Sequence, residues 1–324
     1  MSPPLSANYP SHLATIKKLS ESAWQDAKIT RLKVDRWLSN FKGEATAVEM
    51  ERLHAMHLLA QHIFIGRREI DECLRVLFEE RIAYPFVQKH KDSLRTADAV
   101  NEALQRHLCA TTRFVGMGNP AESGTSLLYR FRQVNRLPLK VFSTPCDAVE
   151  ITADETTHDK VAVLLEPPEL NHLIFLDDFC GSGTQATRRV KKLVKALRSH
   201  QKSVRVSYFL LFSTQSGLDA LESSGLFDEV RPVIVFDEDY KAFCSASHYY
   251  RSALNNISRE VAEQTMEHYG KKLVENPDDA LGFGECQLLM SFEHNTPNNT
   301  LPVIWADQPE IPWHAIFPRV DKIE

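Results

Sequence analysis

The six cysteines of this 324-residue chain (Cys73, Cys109, Cys146, Cys180, Cys244, Cys286) are scattered and include no CxxC pair. That excludes a zinc site of the usual spacing and fits reduced thiols in a cytosolic protein. Long apolar runs are also missing, so no membrane-spanning helix is expected. The opening MSPPLSANYPSHL has no basic stretch ahead of an apolar core, so it does not read as a secretory signal. Neither sign of charge dominates: 38 Lys and Arg face 43 Asp and Glu, a net charge of −5. This balance argues against wholesale nucleic-acid binding and leaves room for a local basic face. A soluble, cytoplasmic protein is expected.

What is present is ordinary globular material, 43% hydrophobic and 25% charged. The first ~110 residues read as helix after helix by their apolar spacing. Leu53, Met56, His57, Ala60, Ile63 and Phe64 form one stripe; Ile70, Cys73, Leu74, Leu77 and Phe78 form another; Val100, Leu104 and Leu108 continue a third. Trp37, Leu38 and Phe41 close an earlier helix that Gly43 is expected to end. His54, His57 and His62 fall close together, but spacings of three and five put no clean pair on one face, so they read as packing or surface residues. Near Arg113 the texture changes, which predicts a helical region over 1–110 and an α/β domain over 111–324.

The most informative stretch is His172 to Leu197, HLIFLDDFCGSGTQATRRVKKLVKAL. A short apolar run leads into Asp177 and Asp178, then a small-residue turn, then a helix marked by Val190, Leu193, Val194 and Leu197. A buried parallel strand delivers its last residues to the carboxyl edge of the sheet, where open α/β folds bind ligands. The turn from Gly181 to Thr184 offers backbone N–H groups at a helix start, which favour a phosphate. Two carboxylates just ahead of it suit sugar hydroxyls or a hydrated Mg2+. The alternative is a strand ending in a solvated acidic turn.

Upstream, RFVGMGNPAESGTSLLYRFRQVN has a similar plan, with Ser123, Gly124 and Thr125 at a helix start suited to an anion. Arg130 and Arg132 follow on that helix as candidate surface charge. Leu139–Phe142 and Val161–Leu165 read as strands flanking a polar connection, either a lid or a hairpin excursion. Val204–Phe212 and Val233–Phe236 are further strands around a short helix near Leu218 and Leu221, an alternation that implies a parallel sheet. Asp237, Glu238 and Asp239 read as a solvated turn or a second metal-binding edge. Arg188, Arg189, Lys191, Lys192, Lys195 and Arg198 give the central helix a basic outer face.

Near the end, LGFGECQLLMSFEHNTPNNTLPVIW carries a strand (Gln287–Phe292) into a turn rich in Asn, Thr and Pro. It is either a hairpin stabilised by its own side chains or a pocket that reads a heterocycle. On the second reading Asn295, Asn298 and Asn299 orient an acceptor, Trp305 stacks on it, and His294 moves a proton near neutral pH.

The stretch from Leu176 to Gln185 resembles the PRPP loop of type I phosphoribosyltransferases. The resemblance implies a parallel-sheet α/β core of that type. Asp177 and Asp178 would hold ribose hydroxyls directly or through Mg2+, Cys180 to Gln185 the 5′-phosphate, and Ser123 to Thr125 the pyrophosphate. Purine-salvage members carry an aspartate where this chain has Gly181, and a threonine is usual where it has Gln185. Trp37-Leu38-Ser39-Asn40-Phe41, the LLYRFR helix, GFGECQLL, HNTPNNTLPVIW and Phe317-Pro318-Arg319 resemble the PRTase-CE family of bacterial conflict systems over roughly residues 30–320. That likeness implies an effector in antiviral defence, in some relatives the partner of a retron reverse transcriptase and its RNA–DNA product. Two roles follow: chemistry at an anomeric carbon, or a non-catalytic module that senses a nucleotide or PRPP and regulates a partner.

Overall fold

The structure is a computed structural model and describes residues 5–117, 123–144, 149–153, 160–164, 169–200, 203–251, 256–307 and 312–320. Parts of the upstream loop (118–122) and of the expected lid (145–148, 154–159) lie outside the described residues.

In chain order the first elements are α1 (Pro10–Ser22), α2 (Arg31–Leu38), α3 (Val48–Leu59), β1 (Ile63–Ile65), α4 (Arg67–Phe78), α5 (Tyr84–His90) and α6 (Ala97–Thr111). Then come β2 (Thr112–Gly116), α7 (Ser123–Val134), β3 (Phe142–Ser143), β4 (Val149–Ala153), β5 (Lys160–Leu164), β6 (His172–Cys180) and α8 (Thr184–His200). The remainder comprises β7 (Arg205–Thr214), α9 (Gln215–Ser223), β8 (Glu229–Phe236), α10 (Arg259–Leu273), β9 (Met290–Phe292) and α11 (Pro302–Trp305). The helix carrying Trp37 ends at Leu38; Gly43, at φ +84°, lies in the loop beyond it.

The chain forms two units, residues 70–235 and residues 1–69 with 236–324. This differs from the single boundary expected at 110. Helices α4 to α6 lie mostly with the sheet, and the C-terminal ninety residues return to the N-terminal helices. The reason is a shared core. Trp24, Trp37, Phe41, Met56 and Leu59 pack in one buried cluster with Tyr269, Leu301, Ile304, Trp313 and Phe317. The indoles of Trp37 and Trp313 both donate to the carbonyl of Val303, at 2.7 and 3.1 Å. Asn40 exchanges two 3.0 Å bonds with the backbone of His314. Buried Glu51 accepts from the N–H groups of Gly43, Ala45 and Thr46 and from the Tyr269 hydroxyl. Strands β1 and β9 pair in parallel, Phe64 opposite Ser291. The Trp37–Val303, Asn40–His314 and Glu51–Tyr269 bonds and the β1–β9 pairing each span over two hundred positions, and local periodicity carries no record of them.

The other unit holds a five-stranded sheet of order β3-β2-β6-β7-β8. The pairs β2–β3, β2–β6 and β6–β7 are parallel, so the α/β class with a parallel core is present as expected. Of the stripe expected on α8, Val190, Val194 and Leu197 are buried with Val206, Tyr208 and Leu210 of β7, Leu193 is partly buried beside them, and Ala186 joins the buried set. On α7, Phe131 packs on Phe114 of β2 at 5.1 Å between ring centroids, and Arg130 pairs with Asp71 at 2.9 Å. Leu139–Val141 is a 3-10 turn, leaving only Phe142–Ser143 as strand. The connection that follows includes the antiparallel pair β4–β5.

Candidate functional site

Parallel pairing sets the carboxyl ends of β2 and β6 side by side, Gly116 opposite Leu176. The N–H of Met117 donates to the carbonyl of Leu176 at 3.1 Å. Gly124, in the first turn of α7, sits so close to Met117 that a Cβ there would lie 2.1 Å from its carbonyl oxygen. The start of α7, with Ser123, Gly124 and Thr125, and the acids that follow Leu176 are therefore held at one edge of one sheet.

Asp177 keeps some exposed surface, but its carboxyl is enclosed and both oxygens are engaged. The Tyr208 hydroxyl donates to Oδ2 at 2.7 Å, and the N–H of Asp178 donates to Oδ1 at 3.0 Å. Burial pushes the Asp177 pKa well above the usual carboxylate range, and the Asp178 charge pushes the same way; the Tyr208 bond opposes both. Tyr208 is fully buried, and burial with the neighbouring carboxylate raises its pKa well above that of a free phenol. Two crowded carboxyls of like charge are a place where a cation, or hydroxyl donors, relieves repulsion. Among the described residues, no group of three or more His, Cys, Asp or Glu could hold a metal alone. That donor set fits Mg2+ held by one or two carboxylates, with water and phosphate oxygens completing its shell.

The turn after the acids is fastened by its carbonyls. Ser213 Oγ donates to the carbonyl of Cys180 at 3.2 Å, and Thr214 Oγ1 to that of Gly181 at 2.5 Å. The carbonyl of Gly183 accepts from the N–H of Thr187 at 3.0 Å. In a trans peptide the C=O and the following N–H point in opposite directions. The N–H groups of Gly181, Ser182 and Thr184 therefore point away from these anchors, at the N-terminus of a 17-residue helix. Gly183 has φ +71°, a conformation that favours glycine. The Ser182 hydroxyl donates to that of Thr184 at 3.1 Å, and Thr184 and Gln185 are exposed. Thr214 also caps α9 by accepting from the N–H of Gly217 at 2.9 Å. A Cβ on Gly217 would meet the carbonyl oxygens of Gly181 at 2.4 Å and Cys180 at 2.8 Å.

Tyr208, Ser213, Thr214 and Gly217, which lie outside the strand, acid and turn motif legible in the sequence, thus shape the site. One local signal existed: Thr214-Gln215-Ser216-Gly217 is itself a capped helix start after a strand.

The expected acceptor loop lies in the other unit, and most of its polar groups serve that unit's own turns. Asn295 Oδ1 accepts from the N–H groups of Thr296 and Val320, both at 2.9 Å. The Asn299 amide donates to the carbonyl of Phe283 at 3.0 Å and to Cys286 Sγ at 3.2 Å. Trp305 is buried, and its indole N–H donates to the carbonyl of Thr300 at 2.7 Å. Gly282 approaches the carbonyl of Asn299 so closely that a Cβ would lie 2.3 Å from it. GFGEC and NTPNN are thus two halves of one packed turn. Asn298 is half-buried, and His294 is exposed with its ring stacked on Phe292 at 5.2 Å. Asn295, Asn299 and Trp305 therefore do not form the open pocket lining expected of them; the density of Asn and Thr supports the turn.

The three clustered histidines are packing residues. His54 sits between the carbonyl of Met50 (2.7 Å) and the N–H of Ser258 (2.9 Å). His57 meets the carbonyl of Tyr249 at 3.0 Å, and His62 meets Ser291 Oγ at 3.0 Å while stacking on Phe317. The Asp237–Asp239 turn is solvated, with Asp239 paired to Arg251 at 2.8 Å.

A parallel α/β sheet with two acids and a small-residue turn at its carboxyl edge defines a phosphoribosyltransferase-like protein. The PRTase-CE family pattern matches residues 34–319, and the chain belongs to that family. Solved structures similar to it include the AQ2163 protein from Aquifex aeolicus (15% identity, 64% of this chain and 83% of that one, TM-score 0.28). Another is the Helicobacter pylori xanthine-guanine-hypoxanthine phosphoribosyltransferase (10% identity, 54% and 90%, TM-score 0.28). A third is the orotate phosphoribosyltransferase from Aeropyrum pernix (13% identity, 43% and 73%, TM-score 0.24). The family match, and not these likenesses, carries the assignment. No curated protein matches the chain. No helix among the described residues is long and apolar enough to cross a membrane.

Proposed function

We propose that the chain is a phosphoribosyltransferase-like effector of bacterial antiviral defence. It binds a phosphoribosyl ligand, PRPP or a nucleotide, with Mg2+ and acts at the anomeric carbon. The observation that carries this reading is the carbonyl-anchored turn beside a crowded pair of acids. Its N–H groups at Gly181, Ser182 and Thr184, with the hydroxyls of Ser182 and Thr184, receive the 5′-phosphate. Asp178 and Asp177 accept from ribose hydroxyls or hold the metal, and the start of α7 at Ser123–Thr125 receives the pyrophosphate. Bound Mg2+ would neutralise phosphate charge and orient the ligand. Substitution at an anomeric carbon passes through an oxocarbenium-like state, so the protein's part is positioning and charge stabilisation. The defence role rests on family membership, and a reverse transcriptase with its RNA–DNA product is the partner proposed for it.

One observation favours the alternative, a non-catalytic module that senses the ligand for a partner. The turn carries glycine at 181 where purine-salvage enzymes carry an acid, and Asn295, Asn299 and Trp305 are engaged elsewhere. Calorimetry with PRPP and with nucleoside monophosphates, with and without Mg2+, tests the site. Asp177→Asn with Asp178→Asn should abolish Mg2+-dependent binding; unchanged binding removes the assignment. Turnover of bound PRPP to pyrophosphate then separates enzyme from sensor.

A further inference from the structure

From Phe179 to Leu218 the chain contains no acidic residue and eight lysines and arginines, although the whole protein carries a net charge of −5. Helix α8 lies in that interval. Its buried stripe (Ala186, Val190, Val194, Leu197) leaves Arg188, Lys191, Lys192 and Lys195 exposed on the opposite face. Their spacing of three, four and seven puts all four on one face along the helix. None of the four forms an ion pair among the described residues, whereas Arg198 at the far end pairs with Asp228 at 3.0 Å. Such a face raises self-repulsion that a dispersed arrangement would avoid.

We propose that this outer face of α8 binds the sugar–phosphate backbone of nucleic acid, independently of sequence. Charge complementarity carries the inference, and what the face lacks selects among polyanions. None of the large apolar side chains exposed on the described residues lies on α8. A protein interface draws on apolar and aromatic anchors at its centre, and a membrane-surface helix presents an apolar face to the lipid. Here the apolar face of α8 is already committed to the sheet, and between Arg188 and Lys195 every exposed position carries a cation. The stripe from Arg188 to Lys195 covers roughly 10 Å at 1.5 Å per residue, about three intervals between phosphates and so the reach of about four successive phosphates of one strand. The surface is separate from the acids and turn proposed to hold the phosphosugar, so the two proposals fail independently.

The test is fluorescence anisotropy of the full chain with single-stranded DNA, duplex DNA and an RNA–DNA duplex of unrelated sequences. Binding is expected on all sequences alike, and neutralising four phosphate contacts should give a log–log salt slope of about −3.6 on duplex. That slope corresponds to roughly a hundredfold loss of affinity between 50 and 200 mM salt. The triple variant Lys191→Gln, Lys192→Gln, Lys195→Gln should lower the slope to about −1. Arg188→Gln alone should lower it by about 0.9, so the proposal remains testable if the triple variant folds poorly. The control Lys17→Gln, Lys18→Gln, exposed on α1, should change nothing. No binding at low salt overturns the proposal. So does binding that the α8 variants leave intact, or tighter binding to phosphatidylserine vesicles than to any nucleic acid.

Discussion

The phenol of Tyr208 donates a 2.7 Å hydrogen bond to Oδ2 of Asp177, one strand away in a parallel sheet. The acid is enclosed and crowded by Asp178, so this bond opposes the protonation that both circumstances favour. Tyr208→Phe keeps the ring and removes the donor. Leaving a buried acceptor short of one partner should cost about 1–3 kcal/mol, read as a lowered unfolding midpoint. Calorimetric affinity for PRPP with Mg2+ should fall as well. Unaltered affinity would show that Asp177 takes no part in the site.

Gly217 tests the fastening of the turn from behind. Gly217→Ala must move the carbonyls of Gly181 and Cys180, because the new Cβ would stand 2.4 and 2.8 Å from them. Overpacking of this kind costs about 1–3 kcal/mol, and the displaced turn should lose phosphate affinity beyond that loss of stability. Gly225→Ala is the comparison: φ is +64° and nothing lies within 4 Å, so it should strain the fold and spare binding. Equal effects of the two on PRPP affinity would contradict this account.

The buried histidines set an acid limit on the unit formed by residues 1–69 and 236–324. Burial lowers His57 to about 4 and His62 to about 3, and lowers His12 and His54 in the same direction. A folded pKa below the unfolded one means that the unfolded chain binds more protons between the two values. Stability is therefore full above about pH 6.5 and falls as pH drops toward 4, by about 2 kcal/mol per strongly shifted histidine at pH 5. Urea midpoints at pH 7 and pH 5 measure it. His62→Phe should flatten its share of the slope, and identical midpoints in the parent protein would sink the idea.

His294 and Asn299 separate structural from chemical roles in the C-terminal turn. Asn299→Ala strands the carbonyl of Phe283 and should lower stability by about 1–3 kcal/mol. His294→Ala, at an exposed position, should leave the melting temperature nearly unchanged. If it nonetheless abolishes pyrophosphate release from bound PRPP, the proton-handling role of His294 stands; retained activity assigns the turn to the fold alone.

Glu51 should act on stability only. Glu51→Gln replaces a carboxylate that accepts from three backbone N–H groups and the Tyr269 hydroxyl with an amide that has one acceptor oxygen. A loss of roughly 3 kcal/mol is expected, since bonds to a charged acceptor are the stronger kind. PRPP affinity of the folded variant should match the parent, and a change there would couple Glu51 to the site.

The order strand, two acids, small-residue turn, amphipathic helix was legible in the sequence because each part is local. The apolar run of β6, the glycine at positive φ and the 3.6-residue stripe of α8 all lie within thirty positions. The same holds for the helix start at Ser123–Thr125 and for the parallel alternation of strands and helices. What tertiary structure alone decided is pairing at long separation. Trp37 and Val303 meet across 266 positions, so one boundary at 110 became a unit assembled from both ends of the chain. Asn295, Asn299 and Trp305 have the composition of a binding loop, but hydrogen bonds to the backbone of Val320, Phe283 and Thr300 engage them within their own unit. In the site itself, the sequence placed Asp177 and Asp178 at a strand end. Only the neighbouring strand, through Tyr208 and Thr214, determined how one carboxyl is held and which way the peptide groups of the turn face.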